Sequence, residues 1–230
     1  PAIESATVQP GPWTLPTGTI RDYPRYPWRG AMLDVARHFF GVADVQRYID
    51  LLAFYKINRL HLHLTDDQGW RIAIASWPRL AEIGGSSAVG GATGGYYSAA
   101  DYGAIVEYAA AHGMVVVPEV EMPGHINAAL AAYPALNRDG VAPARFEGTA
   151  VGFSSLCADK EITYSFVGDV LRELAALTPG PYLHIGGDEA YATQGDDYRL
   201  FVEGVLDLVV QYGKRPIGWE EIGQARLSPG

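Results

Sequence analysis

The sequence predicts an α/β fold in which a parallel sheet, wrapped by helices, closes as a TIM-type (β/α) barrel. Three observations predict it. Short apolar, β-branched runs alternate with stretches of helical spacing along the 230 residues, the pattern of β-α units around a parallel sheet. Polar or charged residues follow nearly every run: Arg37-His38, Asp66-Asp67, Glu119 to His125, Asp188-Glu189 and Trp219-Glu220-Glu221. A barrel gathers all such strand ends at one face, where its enzymes place their active sites. Finally, Asp34-Val35-Ala36-Arg37-His38 lacks the glycine-rich phosphate turn that a doubly wound nucleotide-binding sheet carries after its first strand.

Residues 1–28 are rich in Pro, Gly and Thr and read as an extended lead-in. The first strand is expected at 31–35. A helix follows over 43–55, with Val45, Tyr48, Ile49 and Leu52 at helical spacing. Residues 59–64 form the second strand. Ser98 opens a helix with Asp101 in the capping-box position, and Gly113 closes it. The β-branched run 115–118 is the third strand, and 164–177 is a helix. Residues 182–185 make the fourth strand, a helix near 198–212 closes at Gly213, and 216–218 make the fifth. About five of eight barrel strands are thus expected, in a barrel domain over 29–230 that is incomplete at its C-terminal end. With no initiator Met and no signal peptide ahead of Pro1, the chain reads as processed, excised or truncated.

Composition narrows the function. A net charge of −9 argues against nucleic-acid or anionic-membrane surfaces, which need a basic footprint. No apolar run approaches the roughly 18 residues of a membrane span. The single cysteine, Cys157, excludes an internal disulfide framework and reads as a small buried hydrophobe.

The most informative segment is His184-Ile185-Gly186-Gly187-Asp188-Glu189-Ala190. Neighbouring side chains on a regular strand face opposite ways, but the two glycines loosen the strand end so that Asp188 and Glu189 can address one pocket. Like charges held that close cannot both ionise easily, so one pKa should rise; a solvated acidic turn is the plainer reading of the pair alone. Arg37 follows the first strand, where a guanidinium forks onto sugar hydroxyls or a carboxylate, or simply forms an ion pair. His61-x-His63 at a barrel strand suggests a metal site, with His125, His184 and Asp188 as further ligands. Both histidines precede the polar strand end, however, and also read as satisfied core residues. In Glu119-Val120-Glu121-Met122-Pro123-Gly124-His125 the Pro-Gly turn fixes where the side chains aim. An Asp66–His125–Glu189 relay is plausible, with a buried imidazole tuning the acid. Trp219 is either core or a flat platform for a sugar ring.

Together, RGAMLDVARHFF (29–40), HLHLTDDQGWRI (61–72), PEVEMPGH (118–125), FSSLCADK (153–160) and HIGGDEA (184–190) resemble glycoside hydrolase family 20, the β-N-acetylhexosaminidases, and especially the bacterial enzymes of actinomycete type. The resemblance implies an enzyme without cofactor or metal that acts on terminal β-linked GlcNAc or GalNAc. It implies retaining hydrolysis in which the substrate's own 2-acetamido carbonyl attacks the anomeric carbon and gives an oxazolinium intermediate. By position, Glu189 is then the general acid/base, and Asp188 orients the acetamide and stabilises the developing charge. Arg37 holds ring hydroxyls, Trp219 walls the acetamide pocket, and Asp66 and His125 support the acid. Glu121, counted with the substrate site, stands where the family more often has Asp. The family usually has a small domain before the barrel, and 1–28 corresponds to its tail. Later strands would supply a Tyr, further Trp residues and an acidic sugar contact, from a longer chain or from a second chain completing the barrel; otherwise the fold closes in some unusual way. Secretion also follows from the resemblance. Two other readings stand beside it: a metal-dependent barrel hydrolase using His61, His63, His125 and Asp188, and a sugar-binding fragment without turnover.

Overall fold

A computed structural model describes residues 16–193 and 195–227; residues 1–15, the first part of the expected lead-in, lie outside the described residues. Residues 16–28 contain no helix or strand. The five expected strands form one sheet: β1 (Gly30–Asp34), β2 (Arg59–His63), β5 (Val115–Glu119), β6 (Tyr182–His184) and β7 (Arg215–Ile217). They are parallel and lie side by side in chain order, β1-β2-β5-β6-β7. A doubly wound sheet reverses direction at a switch point. This one never does, so it is a section of a (β/α) barrel wall.

The helices form where apolar spacing and caps place them. In α1 (Val42–Phe54), Val45, Ile49 and Leu52 turn one buried stripe to the sheet. In α3 (Ala99–Ala111), Asp101 N–H donates to Ser98 Oγ at 3.1 Å, and Ser98 N–H donates back to Asp101 Oδ2 at 3.0 Å. The helices α5 (Glu161–Leu177) and α6 (Gly195–Gln211) bury Phe166, Val170 and Leu174, and Phe201, Val205 and Val209. These meet the apolar rows of the sheet, Leu60, Leu62, Val116 and Leu183, all buried. Among the described residues no helix is long and apolar enough to cross a membrane.

Several small elements among the described residues were not expected. Just past β2, Thr65–Asp66 (β3) and Gly69–Trp70 (β4) pair antiparallel as a hairpin. The short helices Arg79–Glu82 (α2) and Asn127–Ala132 (α4) lie in the connections. Arg71, directly after the hairpin, is fully buried. Its guanidinium donates to five backbone carbonyls: Val35 (3.0 Å), Ala36 (2.5 Å), Gly85 (3.0 Å), Ser87 (2.7 Å) and Gly95 (3.1 Å). It pins the exit of β1, and hence Arg37, to the 85–95 loop. Burial without an ion pair lowers the pKa of this guanidinium to about 10.

Candidate active site

The sheet register sets the chemistry. Asp34, His63, Glu119, His184 and Ile217 form one continuous row across the C-terminal ends of the strands. Residues on one row share one face, so Glu119 sits between His63 and His184, with His61 two residues back on the same side. His61 Nε2 lies 2.9 Å from Glu119 Oε2, His63 Nδ1 makes a short contact to the same oxygen, and His184 Nδ1 lies 2.8 Å from Oε1. Burial would push the Glu119 pKa up. The three imidazoles outweigh it and hold the carboxyl far below the ordinary range. The other ring nitrogen of His63 reaches Asp66 Oδ2 at 2.9 Å. Burial works against charge on His63, but carboxylates on both sides keep its pKa well above the usual imidazole value.

Asp66 is the hub above this row. Its Oδ2 also pairs with Arg37 Nη2 at 2.7 Å, and its Oδ1 lies 3.3 Å from His125 Nδ1. Despite burial, the two imidazoles and Arg37 keep it well below the usual carboxylate range. Arg37 is held by Asp34 as well, whose Oδ1 accepts the Ala36 and Arg37 N–H groups at 2.9 Å and whose Oδ2 meets Arg37 Nη1 at 3.0 Å. Burial pulls the Arg37 pKa down, and Asp66 and Asp34 more than restore it.

His125 and Glu189 both occupy the left-handed backbone region, at φ +51° and +47°. Such outliers cost of order 1–3 kcal/mol each and gather at functional sites. Here they, with Gly186 (φ +69°) and Gly187 (φ +98°), turn adjacent side chains toward one imidazole. His125 Nε2 lies 3.3 Å from Glu189 Oε2 and 3.8 Å from Asp188 Oδ2. Burial disfavours its charge, but Asp66 and Asp67 push the His125 pKa up to about 11. The expected line Asp66–His125–Glu189 is therefore continuous in space. It extends inward through His63 to Glu119.

The Asp188 pKa rises, first by burial and then by the nearby charges of Glu119 and Glu221, against His125. Its Oδ1 is buried with no hydrogen-bond partner. Glu189 is about one third exposed (35%). Glu121 is enclosed, with one oxygen 3.8 Å from His63 Nδ1 and the other unpaired, filling the space beside Gly186 where a side chain would sit. Burial, then Glu119, raises its pKa well above the ordinary value. The Trp219 indole packs on His184 and His61, at 5.0 and 5.7 Å between ring centroids. With Met32, His61, Val117 and His184 it lines an open cavity of about 430 Å³. The structure thus brings Arg37, Asp66, His125, Asp188 and Glu189 together at one end of the sheet, while Trp219 stands on the imidazole row.

Among the described residues the four ligands of the metal reading fall apart. His61 and His63 group on Glu119, whereas His125 groups either with Asp66 and Asp67 or with Asp188 and Glu189. Sequence reasoning gave no role to Glu119, Asp34 or Asp67. The signal for Glu119 is its place at the end of the β-branched run 115–118, as His63 stands near the end of 59–64: matched strand ends set the two side by side.

A profile described as "Glycosyl hydrolase family 20, catalytic domain" matches residues 26–199. A β-N-acetylhexosaminidase of Cellulomonas fimi is 47% identical over 220 residues, covering 96% of this chain and 44% of the relative. The structure superposes on the GH20 β-N-acetylhexosaminidase of Streptomyces coelicolor A3(2) with a TM-score of 0.90, at 61% identity over 95% of this chain and 44% of that one. For the Streptomyces plicatus enzyme in complex with thio-NAglucal the TM-score is 0.92, with 62% identity over 96% and 44%. The chain thus spans less than half the length of these relatives. The matched profile and these similarities show that the chain belongs to glycosyl hydrolase family 20.

Proposed function

We propose that this chain carries the acid and acetamide-orienting half of a β-N-acetylhexosaminidase site, for retaining hydrolysis of terminal β-linked GlcNAc or GalNAc. The observation that carries the reading is the pairing on His125. One carboxylate, Asp188, keeps a buried oxygen without a partner; the other, Glu189, is partly open. Asp188 accepts the acetamido N–H and aligns the carbonyl for attack on the anomeric carbon, so no enzymic nucleophile is needed. Glu189 gives its proton to the leaving oxygen and then takes one from the water that opens the oxazolinium ring. Arg37, fixed by Asp34 and Asp66, holds ring hydroxyls, Trp219 forms an apolar wall, and Glu121 supports the pair from beneath. That the S. plicatus relative was solved with thio-NAglucal, and a mutant of it with GlcNAc as product, supports a carbohydrate substrate of this class.

The domain division follows the same reading: 1–28 as the tail of a preceding small domain and 29–230 as barrel. Among the described residues β1 and β7 each pair on one side only, and a closed barrel leaves no such edge. Further strands, from a longer chain or a second one, complete it. The test is hydrolysis of an aryl β-N-acetylglucosaminide beside the matching aryl β-glucoside, with and without EDTA. Acetamide-dependent, EDTA-resistant turnover is expected. Equal cleavage of both substrates would sink the substrate-assisted mechanism, and loss with EDTA would favour metal chemistry. Binding without turnover would make the chain an incomplete site.

A further inference from the structure

The segment FSSLCADK (153–160) has no part in the chemistry above, yet it is tied into the site. Ser154, buried, accepts the Ile126 N–H on its Oγ at 2.9 Å and donates in a short contact to Asp67 Oδ1. The same Asp67 oxygen accepts the Asn127 N–H at 3.0 Å. Both backbone donors follow His125 directly. Asp67 Oδ2, by contrast, is buried, makes no hydrogen bond and lies 3.7 Å from His125 Nδ1. Two further ties hold the segment: Leu156 N–H donates to Pro123 O at 2.9 Å, and Ser155 Oγ bonds Thr193 Oγ1 at 2.7 Å. One oxygen of Asp67 thus fixes the backbone on which His125 stands. The other addresses its ring.

We propose that Asp67, clasped by Ser154, is a positioning residue that holds the His125 imidazolium against Glu189, and that this is what the 153–156 segment does for the site. It rests on Glu189 being the acid. An unpaired, fully buried carboxylate oxygen is stabilised here only by the cationic ring it faces, so ring and carboxylate hold each other in place. The charges facing His125 are Asp66 and Asp67 from the hairpin turn, Glu121 from its own segment, and Asp188 and Glu189 from the loop after β6. Asp67 is the one that also grips the His125 backbone.

The experiment is the imidazole titration of His125, followed by NMR, in the unaltered chain, Asp67→Asn and Ser154→Ala. The amide keeps an oxygen for Asn127 and Ser154 but loses the charge. Its midpoint should fall by about one unit or more, and that of Ser154→Ala by less. An unchanged midpoint in folded Asp67→Asn overturns the proposal. Should that variant not fold, an unchanged midpoint in Ser154→Ala does so instead. The titration needs no turnover, so an inactive chain would count against the hydrolase reading alone. With turnover, Asp67→Asn should lose about tenfold or more on an alkyl β-N-acetylglucosaminide and little on a nitrophenyl one, whose departure needs little protonation. Equal losses on both would mark a purely structural role and refute the proposal.

Discussion

Asp188 and Glu189 are neighbours in the chain with opposite needs. Asp188 holds a buried oxygen that lacks a donor, and Glu189 keeps an open edge. Asp188→Asn turns an acceptor into an amide that can present N–H to N–H. We expect kcat/KM on an aryl β-N-acetylglucosaminide to fall by at least ~10², the scale of losing one preorganised electrostatic contact, with the thermal midpoint nearly unmoved. Unchanged kinetics would remove Asp188 from the mechanism. Glu189→Gln should cost about 10²–10⁴ on substrates with poor leaving groups and regain much of it on dinitrophenyl substrates; without that recovery the proton comes from elsewhere. This pair, Arg37, Asp66 and His125 were all legible in the sequence, because each is a charged or polar residue just past an apolar run. Glu119 was not. Its partners lie on two other strands, and only the register that aligns His63, Glu119 and His184 reveals that one carboxylate serves three imidazoles.

The five sheet strands and four long helices were readable as elements to within a few residues, since their apolar spacing and the Ser98–Asp101 cap are local signals. The hairpin of β3 and β4 was not, because two-residue strands leave no periodicity and Asp66-Asp67-Gln68-Gly69 has the composition of a plain loop. That hairpin nevertheless carries both aspartates on His125. The loop after β6 depends on Gly186, which sits at φ +69° and where an added Cβ would come 1.8 Å from Glu121 Oε2. Gly113, at φ +70°, has open space around it. Gly113→Ala should lower the unfolding free energy by about 1–2 kcal/mol, the left-handed backbone penalty alone. Gly186→Ala should lower it further and reduce activity. Denaturant midpoints compare the two, and equal losses would mean that Glu121 simply moves aside.

Over the whole molecule the site is a stack of alternating carboxylates and imidazoles, and stability inherits its pH dependence. The folded His125 pKa, about 11, exceeds the unfolded value of about 6.5. Its contribution is therefore complete below about pH 6.5 and is lost as pH rises through about 11. Asp66 and Glu119 are displaced the other way, so their contributions stand above the ordinary carboxylate range of about pH 4 and vanish as pH falls. The difference in denaturation free energy between the unaltered chain and His125→Gln should be flat in mild acid and decline through the alkaline range. A difference independent of pH would show that the ring is neutral. The barrel class was legible at this scale because polar residues punctuate each strand end; the unbroken sequential order of the strands supplied what composition could not.

Arg71 behaves unlike the rest of this charged end. Its cation is answered by carbonyl dipoles and the face of the Phe39 ring, at 5.9 Å, and neither takes up a proton in mild acid. Acidification therefore strips the Asp66 and Glu119 contacts while the exit of β1 stays fastened to the 85–95 loop. Acid opening should then be ordered in space. In hydrogen exchange at falling pH, the Asp67 amide, which donates to Asp66 Oδ1 at 2.6 Å, should lose protection first. The Val89 and Gly95 amides, bonded to Arg37 O and Gly85 O, should outlast it, leaving a remnant folded around a buried guanidinium after the acid pair has lost its support.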